Sequence, residues 1–402
     1  MPNDDAGLSE QKGLTPNVLV MGIDLPHLGS AGGILLHRLF QGWPLASLLA
    51  LGPALAKDAE SLRCRFEPYQ PPYERVAQTR FCKLVRLLRL LKLLPVGRLE
   101  QHMPDDFKPA VIVHVLSSLG YSEAAYDYSL RFNVPLVLIV HDDPEEFNES
   151  YSWASRLIRE RFRRIYRHAS RRLCISPEME RTLHDRYGVE GEVMYPNRNE
   201  STTPRPVKTS STLKRPGTLT LGYAGGLNYG YGQRLAELIP TLRESGTIVH
   251  VYGGSLASKD CDDVVVNMGR ISRPEDLWER VKNECDAVLL PYCYASYGHQ
   301  ELYRTHFPSK LPEYLALGMP VIISGPEYAT GVRWGLQNPA ACLVINDREG
   351  HQWKSELARL KDDPNLRTQL SMNAVEAGNR DFEPTAIRAK FQKIITQVAG
   401  IS

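Results

Sequence analysis

Ser309, Lys310 and Glu313 fall close together in the run His306-Phe-Pro-Ser-Lys-Leu-Pro-Glu-Tyr-Leu-Ala-Leu-Gly-Met-Pro-Val-Ile-Ile-Ser324. They supply a hydroxyl, a fixed cation and, one helical turn later, a carboxylate. The run reads as a loop, a helix ended by Gly318, and a buried strand from Pro320 to Ser324. A loop-to-helix joint presents unpaired backbone N–H groups and the positive end of a helix dipole. Such a joint binds phosphate. Ser309 and Lys310 suit a phosphate, and Glu313 suits a pair of hydroxyls. The blander reading is a surface cap with a solvated lysine. Pro308, the glycines and the strongly apolar strand that follows make that reading less attractive.

Other positions carry weaker signals. His141 closes the apolar run Leu136 to Val140 and opens the loop His-Asp-Asp-Pro. Ligands of open α/β sheets sit at the carboxyl ends of strands, so the position suits a site. A capping or core histidine is the alternative, and His114, at the end of Val111 to Val113, is a lesser candidate. Asp142-Asp143 could suggest a metal, but Pro144 and the helix expected after it favour an N-cap. Asp260-Cys261-Asp262 has the form D-x-D but sits in an irregular polar segment, and no metal site is expected. Gly32-Gly33 and Gly225-Gly226-Leu227-Asn228 each follow a short apolar run, as does Gly269-Arg270-Ile271.

Stepping along the chain, apolar runs alternate with helical stretches. Strands are expected at Asn17 to Ile23, Ala110 to Val115, Leu136 to Val140 and Arg171 to Ile175. Helices are expected near Ser122 to Phe132 and at Pro177 to Tyr187. Pro196 to Gly217 is polar and without apolar periodicity, and reads as a linker. The alternation then restarts with strands at Leu219 to Ala224, Ile248 to Tyr252, Val264 to Met268, Ala287 to Pro291, Pro320 to Ser324 and Ala341 to Ile345. Helices are expected at Gln233 to Glu244 and Pro274 to Cys285, with a mostly helical remainder. This order predicts α/β architecture with parallel sheets. The expected division is 1–195, a linker at 196–217, 218–383, and a final helix from 384 to 402 that returns to the first domain.

Composition agrees with this. A chain of 402 residues suits two domains, and 43% hydrophobic with 23% charged residues is ordinary for a globular protein. The net charge of +2 argues against a polyanionic partner on bulk grounds. The seven cysteines are scattered without a C-x-x-C pair, which favours a reducing compartment. The polar, acidic start lacks the order of a signal peptide, and no apolar run is long enough to span a membrane. A cytoplasmic protein is expected. Arg75 to Arg98 steps Arg80, Lys83, Arg86, Arg89 and Lys92 through a leucine-rich background. Such a helix either lies on an anionic bilayer or is an ordinary surface helix. A second basic stretch, Arg156 to Arg172, adds weight to the first option, giving a peripheral position on the inner face of the plasma membrane. Neither stretch carries an aromatic platform for nucleic acid.

The run from Pro308 to Val321 resembles the donor-site segment of family 4 glycosyltransferases and their two-domain GT-B relatives, often written P-x-K-x-x-E-Y-x-A-x-G-x-P-V. The resemblance covers about twenty residues. It implies two Rossmann-like domains facing across a cleft, and transfer of a sugar from a nucleotide-diphosphate donor to a glycan or lipid-linked acceptor, as in polysaccharide biosynthesis. The reaction would proceed with retention and without a metal or other cofactor, the leaving phosphate taking the acceptor's proton. Ser309 and Lys310 would hold the diphosphate and Glu313 the ribose. His141 would contact the sugar, Gly32 and Gly33 would let backbone approach the phosphates, and the segment at Arg270 would read the base.

Two departures stand out. The family's first glutamate, eight residues before Glu313, is Thr305 here. The arginine and lysine that follow the glycine turn of the second domain correspond to Gly226 and Tyr231, so the cationic clamp on the leaving group is missing. Charge-assisted contacts to a phosphate contribute about 1.5–3 kcal/mol each, and a transition state of this kind needs that charge. Lys310, Arg304 or Arg234 could compensate. A catalytically silent nucleotide-sugar or partner-binding GT-B protein, or a GT-B sugar-nucleotide epimerase, are the alternatives.

Overall fold

The computed structural model describes residues 15–28, 31–53, 62, 64–71, 88, 98–145, 155–200, 213–256, 263–294, 299–348 and 350–401. The chain divides into two compact units. One comprises Met1–Val140, Phe147–Leu173 and Arg388–Ser402; the other comprises His141–Glu146 and Cys174–Ile387. The sequence reading set its divisions at 195/196, 217/218 and 383/384, whereas the contacts place residues 174–195 with the second unit. Most of the expected linker, 201–212, lies outside the described residues, as do Asp260 to Asp262 and all of Arg75 to Arg98 but Leu88 and Arg98.

The first sheet has strands β1 (Val18–Met21), β2 (Leu48–Gly52), β3 (Arg65–Pro68), β4 (Val111–Val115), β5 (Leu136–Val140), β6 (Arg171–Cys174) and β7 (Glu192–Val193), in the order β3-β2-β1-β4-β5-β6-β7. The β1–β2, β2–β3, β1–β4 and β4–β5 pairs are parallel. The order reverses between β1 and β4, which makes the sheet doubly wound. β1, β4 and β5 are buried along their whole length, as strands covered on both faces must be. Helices α1 (Ala31–Leu39), α2 (Leu119–Phe132) and α3 (Ser155–His168) accompany them, followed by α4 (Pro177–Tyr187). Ser176 caps α4 by accepting the Met179 N–H at 2.9 Å, and Gly188 ends it in the left-handed region.

The second sheet is wholly parallel and repeats the first order. Its strands are β8 (Leu219–Ala224), β9 (Thr247–Tyr252), β10 (Val265–Gly269), β11 (Ala287–Pro291), β12 (Val321–Ser324) and β13 (Leu343–Ile345), arranged β10-β9-β8-β11-β12-β13. The reversal here lies between β8 and β11. Helices α5 (Tyr231–Glu244), α6 (Pro274–Glu284), α7 (Gln300–Thr305), α8 (Lys310–Ala316), α9 (Thr330–Gln337), α10 (His351–Asp362) and α11 (Pro364–Phe382) complete the unit. Its apolar core runs from Leu219 through the strands to Trp353 and Phe382.

The last helix, α12 (Pro384–Val398), enters the first unit from Arg388 onward. There Phe391 is fully buried and meets Phe40 edge-on at 5.2 Å between centroids. Gln392 donates to the Gln41 carbonyl at 3.3 Å. Among the described residues no helix is long and apolar enough to cross a membrane.

Candidate functional site

At the carboxyl end of β8, beside the reversal of the second sheet, the chain turns through Gly225 with φ +128°. A β-carbon there would come within 2.4 Å of Lys310 Cε, so glycine leaves the space the lysine occupies. Tyr314, one turn along α8, fixes that approach: its hydroxyl accepts the Ala224 N–H at 2.9 Å. Both groups are buried. The bond therefore locks α8 to the end of β8.

The Lys310 ammonium lies 4.6 Å from the centroid of Tyr231 and 5.6 Å from that of Tyr223. Both distances are in the cation–π range. Lys310 makes no hydrogen bond or ion pair among the described residues. Loss of water at this site lowers its pKa from 10.5 to about 8. Burial conversely raises the phenols of Tyr223 and Tyr231, which stay neutral. The result is a cation faced by aromatic rings and no carboxylate. An anion entering beside it would restore the charge balance.

Ser309 is the N-cap position just before α8, is exposed, and its hydroxyl makes no capping bond. Glu313 is buried and accepts the Asn199 N–H at 2.9 Å through Oε1. The neighbouring Arg198 is also buried, donating to the Gly378 carbonyl at 3.2 Å and to Asn379 Oδ1 at 2.8 Å. Residues 197–199 were expected to open a linker; they instead pack against the site carboxylate. Thr305, in place of the family's first glutamate, is buried, and its carbonyl accepts the Ser176 hydroxyl at 2.7 Å.

Neither arginine proposed to compensate for the missing clamp is available without rearrangement. Arg234 is buried, pairs with Glu237 at 3.0 Å and stacks on Tyr294. Arg304 pairs with Glu301 at 3.4 Å and lies over Tyr328. Tyr231, the counterpart of the family lysine, supplies the ring beneath Lys310.

His141 follows β5 and belongs to the second unit. Its Nδ1 lies 3.1 Å from Asp142 Oδ2, and His306 Nδ1 lies 3.0 Å from Asp142 Oδ1. Burial works to raise the Asp142 pKa, but hydrogen bonds from the two imidazoles outweigh it and hold the carboxyl well below the usual range. Asp143 faces elsewhere: Arg186 grips it at 2.7 and 2.8 Å, and its Oδ1 accepts the Glu145 N–H. The stretch in which Asp142-Asp143 was expected to cap a helix, 146–154, lies outside the described residues. His114 is a core residue, with Nδ1 2.7 Å from the Met21 carbonyl and Nε2 2.8 Å from Ser122 Oγ. Its pKa falls to about 4 through burial, so it is neutral.

Gly32 and Gly33 belong to the first unit and lie in the first turn of α1, not in a loop before it. A β-carbon at Gly32 would strike the Asp24 carboxyl at 2.4 Å, so close packing onto the β1–α1 connection explains that glycine. Arg270 follows β10 and is exposed. Gly226 carries its carbonyl to the Tyr223 hydroxyl and has open space around its α-carbon. The second unit thus brings together Gly225, Lys310 and the tyrosines, with Glu313 one turn further along α8, and separately His141 with Asp142 and His306. The tyrosine pair and His306 were not singled out in sequence. Tyr223 and Tyr231 read as ordinary strand and helix residues, and His306 stood at the edge of a motif read for its lysine.

Residues 49–196 match the family described as Glycosyltransferase Family 4. No curated protein matches the chain. Among solved structures, Alr3699/HepE from Anabaena, in complex with UDP and glucose, is 14% identical with a TM-score of 0.63, covering 95% of this chain and 99% of that one. Sucrose-phosphate synthase from Thermosynechococcus elongatus is 14% identical with a TM-score of 0.64, covering 96% and 99%. The lipopolysaccharide outer core galactosyltransferase WaaB is 14% identical with a TM-score of 0.59, covering 94% and 99%. The chain carries the GT-B fold and, over 49–196, the sequence character of glycosyltransferase family 4.

Proposed function

We propose that this chain is a nucleotide-sugar glycosyltransferase whose second unit binds the donor. The observation that carries the reading is Lys310: a desolvated ammonium held over two tyrosine rings, without a carboxylate partner among the described residues. A diphosphate is the anion that fits a lysine preceded by the Ser309 hydroxyl and followed by a carboxylate that can take ribose hydroxyls. The family match and the UDP-bound fold relative support the same reading. Gly225 admits the lysine, and Glu313, which accepts the N–H of residue 199, is the carboxylate that would take the ribose hydroxyls.

The first unit would present the acceptor, a glycan or a lipid-linked sugar. Transfer would retain the anomeric configuration, the departing phosphate taking the acceptor's proton, and His141 would contact the sugar. The chemistry needs no metal. Helix α3 exposes Arg156, Arg163, Arg164 and Arg167, which suits an anionic membrane surface and a peripheral enzyme.

The test is thermal unfolding with UDP, GDP, ADP and dTDP and their sugars. At 100 times its dissociation constant, the cognate nucleotide should stabilise by about 2.7 kcal/mol. Lys310→Ala and Glu313→Ala should lose that gain. No stabilisation by any nucleotide, or gains that both variants keep, would refute the donor site. A second reading, binding of a nucleotide sugar without transfer, draws on the uncharged Gly226 and Tyr231. Release of nucleotide from donor and acceptor together, beyond the rate from donor alone, separates the two.

A further inference from the structure

We propose that His141, Asp142 and His306 form a binding site for a transition-metal dication, zinc foremost. The three side chains offer one ligand atom each, all within 4.8 Å of one another. They come from two separate stretches, 164 residues apart in the Asp142–His306 pair. The imidazole Nδ1 atoms flank the carboxylate at 3.1 and 3.0 Å, and the rings stand nearly perpendicular with centroids 5.6 Å apart. Ligands at 2.0–2.1 Å around a tetrahedral zinc are spaced by about 3.3 Å, a spacing that the two imidazole–carboxylate distances already match, while the widest separation must close by about 1.5 Å for a metal to enter. It would take the place of the Nδ1 protons, which leave to solvent.

The ligand chemistry selects the ion. Two imidazoles and one carboxylate suit zinc and its first-row neighbours; magnesium and calcium prefer oxygen alone. Three protein ligands leave a coordination position for water, as in open zinc sites. The side chains of Asp142 and His306 are each 25% exposed, so an ion can reach them. Both segments are braced from behind. The Arg186–Asp143 pair holds the residue after Asp142, and the Thr330 hydroxyl donates to the His306 carbonyl at 2.5 Å. The competing description is an ion-pair network in which the carboxylate alone holds both imidazoles. Metal binding stands apart from the proposed transfer. Only its consequence rests on that reading: a metal on His141 would withdraw it from the sugar, making zinc an inhibitor.

The experiment uses the full chain, stripped with chelator and titrated with zinc chloride by calorimetry, then with cobalt(II) followed by visible absorption. One equivalent of zinc should bind with micromolar or better affinity, and magnesium should not compete. His306→Ala and Asp142→Asn should each weaken binding at least about tenfold, since even partners behind a ligand matter that much. His184→Ala, at an exposed histidine, should leave it unchanged. X-ray absorption on the zinc-loaded wild type should count two imidazoles, a readout that stands even where a variant fails to fold. No saturable binding, one equivalent that survives His306→Ala in a folded protein, or another imidazole count would overturn the site.

Discussion

An ammonium held over phenol rings and stripped of water holds its proton less tightly than one in solution, and Lys310 carries this into pH dependence. Its pKa falls from 10.5 to about 8 on burial. Between those values the unfolded chain binds more protons, so this residue's contribution to stability rises with pH from 8 to 10.5. Binding a diphosphate favours the charged form and draws the pKa back up. Nucleotide affinity should therefore be level below pH 8 and weaken by up to about tenfold per unit above it. Calorimetry from pH 6.5 to 9.5 measures this, and Lys310→Arg should be level throughout, because guanidinium stays charged. A level wild-type profile would count against Lys310 as the anion's partner. Gly226 allows the converse test. A β-carbon there meets nothing nearer than Asn228 Nδ2 at 3.9 Å, and the residue is exposed, so a side chain can start from this turn without a clash. Gly226→Arg should change stability by less than about 0.5 kcal/mol. Its new contact should tighten nucleotide binding by about 1.5–3 kcal/mol. An unaltered dissociation constant in the folded variant would show that this turn does not face the phosphates.

At the scale of elements, helix α3 divides into two faces. Ile158, Phe162, Ile165 and Tyr166 are buried, while Arg156, Arg163 and Arg167 are exposed. Near an anionic surface each arginine contributes about 1 kcal/mol. Changing these three to glutamine should weaken binding to phosphatidylglycerol vesicles by two orders of magnitude and leave phosphatidylcholine unaffected, as read by co-sedimentation. Equal binding by the variant would place membrane attachment elsewhere. The same scale shows what sequence reveals. Leu136–Val140, Leu219–Ala224 and Ala287–Pro291 have the bounds expected for them, because parallel strands covered on both faces are nearly continuous apolar runs, broken here only by Thr220 and Gly222. β2 escaped notice, since Leu-Leu-Ala-Leu-Gly has no β-branched residue and favours helix in isolation. β3 escaped because it is a partly exposed edge strand. Gly32 and Gly33 were expected, by resemblance, in a loop where backbone nears the donor phosphates, yet they lie inside α1, where close packing against Asp24 selects glycine at position 32. Local motifs such as Ser309–Glu313 are readable as spacing. Asn199 on Glu313 and His306 on Asp142 are long-range pairings that only the folded sheet creates.

On the scale of the whole molecule, the chain is two repeats of one strand order, and its last helix belongs in part to the first repeat. Phe391 therefore supports the first unit although it lies at the far end of the sequence. Its ring packs edge-on against Phe40, which in turn meets Trp43 at 6.0 Å. Removing a buried aromatic ring costs about 3–5 kcal/mol. In Phe391→Ala that loss should fall on the first unit, lowering hydrogen-exchange protection in β1, β4 and α1. Protection in β8, β11 and β12 should hold, because their core is built from residues 219–382 with Ile175. A saturating nucleotide should act in the opposite sense, protecting β8 and α8 in both proteins, since binding stabilises only the folded state of the unit that carries the site. Hydrogen exchange read peptide by peptide distinguishes these patterns. An equal loss of protection across both units in Phe391→Ala would show that the last helix supports the chain as one cooperative body.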